Sequence, residues 1–213
     1  MSELVLVGRS SSVNVQKVLW FLAETDTEFE HHIVGGPYGG LEQPAFAALS
    51  PLPRVPVLQH GGVAIWESHA VLRYLAEISA PHALSPRDAE QRAGIEPWME
   101  LVSTTLQPPF IALFWQMVRM TEMQRDEAKI MDARKAMQHA LAAMAGQLED
   151  QAWLAGEDMS LADITAGSLM FRINDVAPDL IESPALQRWY QRLQAREAYR
   201  QTVMTNYHEM RAK

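Results

Sequence analysis

Hydrophobic and polar residues follow two different patterns along the chain. Residues 1–80 mix short apolar runs typical of strands with helical stretches, whereas the remainder keeps helical spacing almost throughout. In the first part, the pattern predicts strands over Leu4–Val7, Phe29–Val34, Val55–Leu58 and Val63–Trp66, and helices over Asn14–Glu24, Glu42–Leu49 and Glu67–Ile78. In the second part, it predicts helices over residues 87–121, 123–149, 160–174 and 184–203.

The order of these elements predicts two domains. The opening strand, helix and strand form a βαβ unit, which pairs parallel strands through a right-handed crossover. Gly61-Gly62 joins the next two strands and predicts a hairpin that adds an antiparallel edge. A four-stranded mixed sheet with helices on both faces follows, which is a thioredoxin-like arrangement. We therefore expect an α/β domain over 1–80, a linker over Pro81–Pro86 and an all-α domain over 87–213.

Two local signals refine the helical part. The Pro108-Pro109 pair predicts a kink or break in the first long helix, because proline lacks the N–H that the helix needs. Ser160 and Asp163 have the spacing of a capping box, in which each side chain accepts a backbone N–H of the other residue.

The amino-acid composition excludes several kinds of site and partner. The 213 residues include no cysteine, which excludes disulfides, thiolate metal sites and cysteine nucleophiles. A formal net charge of −8 argues against broad binding to nucleic acid or to anionic membranes. The seven histidines lack metal-binding spacing, so we expect no metal. The chain has neither a signal-peptide pattern nor a membrane-spanning apolar run, and we expect a soluble cytoplasmic protein.

The stretch from Gly8 to Asn14 lies between a strand and the start of a helix. Unpaired N–H groups and the positive end of the helix dipole converge there, and they would stabilise an anion or a thiolate. Since the protein has no thiol, such a thiolate must belong to a ligand. The alternative is that Ser12 or Asn14 simply caps the helix.

Val55-Pro56, at the start of a predicted strand, is the second candidate. A cis bond there would turn the Val55 backbone N–H and C=O outward, where an extended peptide can pair with them. The alternative is an ordinary trans proline on an edge strand.

Glu67-Ser68, where a strand meets a helix, is the third candidate. Ser68 and the helical N–H groups suit a carboxylate, and Glu67 suits an ammonium. The alternative is again a simple cap.

Together the three candidates offer a corner that stabilises a thiolate, a backbone pairing site and a clamp for an α-amino acid. These match the three parts of γ-glutamyl-cysteinyl-glycine, so the combination points to glutathione.

Five stretches of the sequence resemble bacterial glutathione S-transferases of the serine-type, theta-like or nu-like group, and the resemblance covers essentially the whole chain. The matching stretches are Gly8–Glu24, Gly35–Gly40, Val55–Leu58, Trp66–Leu75 and Ser160–Ile164. The resemblance implies a homodimer, each subunit joining a thioredoxin-like domain to an all-helical one.

The resemblance also implies roles for single residues. Ser12 matches the residue that hydrogen-bonds the glutathione thiolate, and Asn14 matches an accessory residue. Ser10 and Ser11 remain alternative candidates for the thiolate partner, because a shift of one residue in the turn would put one of them in the place of Ser12.

The remaining glutathione contacts are implied in the same way. Val55, with Pro56 beside it, matches the residue that pairs with the cysteinyl backbone, and Glu67 and Ser68 match the γ-glutamyl clamp. Arg54 lies beside the expected glycyl carboxylate and is a candidate for binding it. The family often has a glycine in the preceding loop where this chain has Ser50-Pro-Leu-Pro-Arg54, so we expect that loop to be built differently.

An aromatic and methionine-rich segment follows Pro108-Pro109, and Phe114, Trp115 and Val118 within it are predicted to line a pocket for the electrophile. The alternative is that this segment belongs to the core of the helical domain.

We expect an enzyme, a glutathione transferase active in detoxification, whose partners are glutathione as cosubstrate and a small hydrophobic electrophile. The rival hypotheses are a glutathione-dependent isomerase or peroxidase and a non-catalytic scaffold or regulatory protein.

Overall fold

The N-terminal part is built on a mixed sheet of four short strands, as seen in a computed structural model that describes residues 4–79 and 84–212. The strands are β1 (Leu4–Val7), β2 (Glu30–His32), β3 (Val57–His60) and β4 (Val63–Trp66). Their order is β2-β1-β3-β4, with β1 parallel to β2 and β3 antiparallel to β1 and β4. The predicted mixed sheet and its antiparallel hairpin are confirmed.

Two strands are shorter or shifted relative to the sequence prediction. The predicted strand Phe29–Val34 is reduced to Glu30–His32, because its partner β1 offers only three paired positions. The predicted strand Val55–Leu58 begins instead at Val57. Pro56 has no N–H to donate to the ladder, so the strand starts after it.

Three helices accompany the sheet: α1 (Val13–Glu24), α2 (Pro44–Ala47) and α3 (Ser68–Ile78). Helix α1 is apolar on almost every side and is buried from Val15 to Leu22. Helix α3 is amphipathic, and it packs its buried Val71, Leu72 and Leu75 in the region where it meets α1, β3 and β4.

The C-terminal part is helical, as predicted. Its helices are α4 (Ala89–Leu101), α5 (Gln107–Phe114), α6 (Glu127–Asp150), α7 (Leu161–Val176), α8 (Pro184–Ala195) and α9 (Glu197–Thr202). The break expected at Pro108-Pro109 is present, since α-helical hydrogen bonding gives way to a π-helical turn at Val102–Leu106 just before α5. The predicted helix over 184–203 is divided at Arg196, which has extended backbone angles.

The chain forms two compact units. The first runs up to Ser85 and includes Ala198–Thr205, and the second consists of Pro86–Glu197 and the residues from Asn206 onward. The returning segment is fixed to the first unit by Tyr199, whose ring meets Trp20 edge-on at 4.8 Å between centroids. Residues 81–83 of the predicted linker lie outside the described residues.

A buried carboxylate organises the helical unit. Asp163 accepts hydrogen bonds from the Ser160 backbone N–H at 3.0 Å and from the Trp189 indole N–H at 2.9 Å. The Ser160 hydroxyl in turn accepts the Ala162 N–H, so the predicted capping box is confirmed. The core of the helical unit also contains several buried methionines: Met99, Met137, Met144, Met159 and Met170.

Candidate functional site

One end of the sheet gathers the three segments that the sequence singled out. Val57 at the start of β3 pairs with Val7 at the end of β1 and with Trp66 at the end of β4. The turn after β1, the segment before β3 and the turn after β4 therefore meet at the same end of the sheet. Strand pairing alone brings together residues that are far apart along the chain.

Gly8 allows the β1–α1 turn to lie against the segment before β3. Its φ is +150°, and a Cβ atom there would lie 2.7 Å from a Val15 methyl carbon and 2.9 Å from Val55 Cβ. Contacts that short are repulsive, so this position requires glycine. Val55 consequently lies beside the start of α1.

Ser12 is the N-cap residue of α1, but its hydroxyl does not cap the helix. Its backbone is extended (φ −82°, ψ 125°), and its side chain makes no capping hydrogen bond. The capping alternative is therefore wrong for Ser12. Within the described residues the half-buried Ser12 hydroxyl makes no hydrogen bond at all, and it lies where the first N–H groups of α1 have no partner inside the helix.

The neighbouring serines are placed differently. Ser11 is buried, and its hydroxyl oxygen accepts a hydrogen bond from an Arg9 guanidinium nitrogen at 2.5 Å. Ser10 is exposed to solvent. Of the three serines that the sequence left open, Ser12 is the one whose hydroxyl is both partly shielded and unengaged.

The segment before β3 contains a cis bond between Val55 and Pro56, so the trans alternative is wrong. Val55 is half-buried and packs against the small core cluster around Phe46 and Val57. Arg54 is exposed, and its backbone N–H donates to the Leu52 carbonyl at 2.8 Å. The Arg54 side chain thus extends from the same segment into solvent.

Glu67, at the N-cap of α3, has an unusual backbone conformation. Its φ of 69° lies in the left-handed region, which costs a non-glycine residue about 1–3 kcal/mol. Its side chain makes no capping hydrogen bond and is exposed, so the simple-cap alternative is wrong here too. Such strain is typical of ligand clamps, where the surrounding structure imposes it.

Ser68 and Asn14 connect the two helix starts. The Ser68 hydroxyl lies 3.5 Å from the Asn14 side-chain oxygen, to which it donates. Ser68 is buried and Asn14 is half-buried. The candidate thiolate site on α1 and the candidate clamp on α3 are therefore neighbours.

Sequence reasoning missed a buried pair behind these helix starts. Lys17 of α1 and His69 of α3 are both buried, with 3.1 Å between Lys17 Nζ and His69 Nε2. Burial lowers the pKa of Lys17 to about 7, while the Glu67 carboxylate acts in the opposite direction. Burial, together with the nearby charges of Lys17 and Arg73, lowers the pKa of His69 to about 3. The available signal was a lysine directly before the apolar run Val18–Leu22 of α1.

The three residues predicted to line an electrophile pocket are not equally accessible. Phe114 and Val118 are buried within the helical unit, and the Phe114 ring contacts that of Tyr207 at 5.4 Å between centroids. The Val118 carbonyl accepts a hydrogen bond from the Ala212 N–H at 2.8 Å. Trp115 is 48% exposed.

Trp115 lines a surface cavity of about 500 Å³ between α5 and α6. The rest of its wall is formed by Pro108, Pro109, Ala112, Gln116, Lys129, Asp132 and Ala133. Apolar surface dominates, and Lys129 and Asp132 provide the charged groups. The helical unit thus offers an apolar surface beside one of the three predicted residues.

Within residues 4–79 and 84–212, no three side chains of His, Asp or Glu are arranged to hold a metal ion. No helix in those ranges is both long and apolar enough to cross a membrane.

The fold defines the class of protein. A thioredoxin-like unit of order β2-β1-β3-β4, with a cis-proline before β3 and a helical unit following it, is the glutathione S-transferase fold.

Comparisons with known proteins agree with this class. Residues 2–77 match the family model "Glutathione S-transferase, N-terminal domain", and residues 98–197 match "Glutathione S-transferase, C-terminal domain". Glutathione S-transferase GstB of Escherichia coli (strain K12) is 31% identical over 203 residues, which are 94% of this chain and 98% of that protein.

Solved structures give the same result. The theta class glutathione S-transferase from the citrus canker pathogen Xanthomonas axonopodis pv. citri, with glutathione bound, is 38% identical, with a TM-score of 0.91 over 97% of this chain and 99% of that one. A glutathione S-transferase from Pseudomonas fluorescens [Pf-5] is 26% identical, with a TM-score of 0.81 over 92% of this chain and 97% of that one. The chain belongs to the glutathione S-transferase family.

Proposed function

We propose that this protein is a glutathione transferase, which binds glutathione in its first unit and holds the thiol as a thiolate for attack on small hydrophobic electrophiles. The observation that carries the proposal is the unengaged Ser12 hydroxyl at the start of α1, at the sheet end where Val55, Glu67 and Ser68 also lie. The similar theta class structure, 38% identical, holds glutathione.

The chemistry follows from what surrounds a sulfur placed beside Ser12. The Ser12 O–H donates a hydrogen bond to the thiolate, and the N–H groups of the first turn of α1 add the positive end of the helix dipole. Both effects favour the charged form and lower the thiol pKa. The thiolate then forms a bond to the electrophilic carbon, and the leaving group departs with its electron pair.

Ser12 acts as a hydrogen-bond donor and not as a nucleophile. Three histidines of the first unit are engaged elsewhere: His31 with the Gly8 carbonyl, His60 with the Tyr74 hydroxyl and His69 with Lys17. A serine nucleophile needs a general base within hydrogen-bond reach.

The rest of glutathione is proposed to bind around this point. The Val55 backbone pairs with the cysteinyl residue, and Glu67 takes the γ-glutamyl ammonium. Ser68 and the N-terminal N–H groups of α3 take the γ-glutamyl carboxylate. Arg54, exposed beside Val55, takes the glycyl carboxylate.

The electrophile site stays a prediction for Phe114, Trp115 and Val118, with Trp115 offering the accessible surface. The reaction needs reduced glutathione, which the cytosol maintains. We therefore propose a cytoplasmic enzyme of detoxification.

Titration of the bound thiol tests the proposed function. Glutathione is added to the protein, binding is followed by calorimetry, and thiolate formation is followed by ultraviolet absorbance as the pH is raised. We expect the thiol pKa to fall from about 8.5 in free solution to about 7 on the protein. Binding with an unchanged thiol pKa would instead favour a non-catalytic scaffold. Absence of binding at millimolar glutathione would mean that the fold serves another purpose.

We also propose a homodimer. Exposed apolar side chains on the edge strand β4 and on α3 support it, because Val63 is 54% exposed and Ile78 is 41% exposed. Val63→Lys should weaken self-association at least about tenfold, since it places a charge in the apolar contact. Sedimentation velocity over a concentration series measures the change. Met123→Lys is the matched control, because Met123 is 98% exposed on the helical unit. A dimer equally stable in both variants would exclude this surface.

A further inference from the structure

The buried Lys17–His69 pair lies directly behind the proposed γ-glutamyl clamp. Lys17 is on α1, whose start carries Ser12 and Asn14, and His69 follows Glu67 and Ser68 on α3. Their nitrogen atoms are 3.1 Å apart, and both side chains are buried.

The hydrogen bond fixes the state of the histidine. A lysine ammonium can only donate, so His69 Nε2 must accept and the imidazole must be neutral. Burial and the charges of Lys17 and Arg73 disfavour the imidazolium, in agreement with this assignment. Below the Lys17 pKa of about 7 the pair therefore carries a single positive charge, on Lys17.

That positive charge is coupled to the clamp. Burial lowers the pKa of Lys17 to about 7, and the Glu67 carboxylate opposes this fall by favouring the ammonium. A charged Lys17 would equally attract a ligand carboxylate bound beside Glu67. The charged groups acting on the pair are Glu67 from the β4–α3 turn and Arg73 from α3.

The pair also joins two helix starts. The Lys17–His69 bond spans α1 and α3, and the Asn14–Ser68 contact of 3.5 Å connects the same two helices nearer to the site. Glu67 directly precedes Ser68 and has a strained backbone, with φ of 69°. Such a conformation persists only where the surrounding structure holds it.

We propose that Lys17, held by His69, is a positioning residue that keeps the Glu67–Ser68 turn in its binding conformation, so that protonated Lys17 favours binding of the γ-glutamyl group. This inference rests on the proposed function. The affinity for the γ-glutamyl group then depends on the buried charge of Lys17, which acts on neither the thiol nor the electrophile directly.

S-methylglutathione is the appropriate probe, because its sulfur cannot ionise and its binding reports the clamp without thiol chemistry. Calorimetry is performed from one pH unit below to one unit above the Lys17 pKa of about 7. If protonated Lys17 favours binding, affinity is highest at the acidic end and falls as the pH rises through that pKa. We expect a loss of about fivefold across this range for the wild type.

Variants separate Lys17 from other titrating groups. Lys17→Met should bind S-methylglutathione about tenfold more weakly at the acidic end, with little dependence on pH, while kcat at saturating glutathione falls less than about threefold. His69→Gln should retain most of the wild-type behaviour, because its amide oxygen can accept the same hydrogen bond. Lys135→Met, an exposed change on α6, is the matched control. His31, His32 and His60 remain in every variant and cannot cause the difference.

The outcomes distinguish the two proposals. A wild-type affinity for S-methylglutathione that does not vary with pH would overturn the positioning role and leave the proposed function intact. A pH dependence that persists unchanged in folded Lys17→Met would overturn it as well. If S-methylglutathione does not bind to the wild type at all, the proposed function fails together with this inference.

Discussion

Ser12→Ala is expected to reduce kcat/KM for conjugation by about 10- to 100-fold while changing the Kd for glutathione less than about threefold. The hydroxyl makes no hydrogen bond within the described residues, so its removal leaves the fold intact. A hydrogen bond to a charged group is worth about 1.5–3 kcal/mol, and this corresponds to the expected loss in rate. Steady-state kinetics and calorimetry on the same preparations measure both quantities.

Two matched variants sharpen this test. Ser10→Ala removes an exposed hydroxyl and should be neutral, whereas Ser11→Ala removes the oxygen that accepts from Arg9. In Ser12→Ala the pKa of the bound thiol should return toward its value of about 8.5 in free solution. An equal loss of activity and affinity in Ser12→Ala would contradict the assigned role, as would a loss of activity found in Ser10→Ala instead.

Asp163→Ala should lower the free energy of unfolding of the helical unit by about 4 kcal/mol. The carboxylate is fully buried and accepts from the backbone N–H groups of Leu154 and Ser160 and from the Trp189 indole N–H. Truncation leaves these buried donors without their acceptor, and each unsatisfied group costs about 1–3 kcal/mol. Urea unfolding followed by far-ultraviolet circular dichroism measures the change.

The controls for this prediction use the same chemistry. Asp163→Asn keeps one acceptor oxygen and should cost less than the alanine variant. Asp158→Ala removes a carboxylate from an exposed position close by in the chain, and it should change stability by less than about 0.5 kcal/mol. If Asp163→Ala unfolds at the same urea concentration as Asp158→Ala, the carboxylate is not the organising acceptor.

Much of the fold was predictable because its signals are local. Apolar runs and helical spacing located β1, β4, α1 and α3 to within one residue at either end. The βαβ order and the Gly61-Gly62 hairpin then determined which strands pair and in which direction. Ser12, Val55 and Glu67 were placed at ends of elements, and the strand pairing brings such ends together.

Element boundaries were predicted less well where tertiary partners decide them. The second strand ends early because β1 offers it few partners, and β3 begins only after Pro56. The last predicted helix is divided at Arg196, and part of it, Ala198–Thr205, packs with the first unit. The Gln16 amide donates to the Thr205 hydroxyl oxygen at 2.9 Å, a contact that periodicity does not encode.

The two-part architecture and the residue types at one end of the sheet follow from the amino-acid sequence alone, because helix and strand periodicity and turn chemistry are local properties. The tertiary fold determines which serine hydroxyl is engaged, since the Ser11 hydroxyl accepts from Arg9 while the Ser12 hydroxyl makes no hydrogen bond within the described residues. It likewise decided that Lys17 meets His69, because two side chains 52 positions apart become neighbours only when their helices pack.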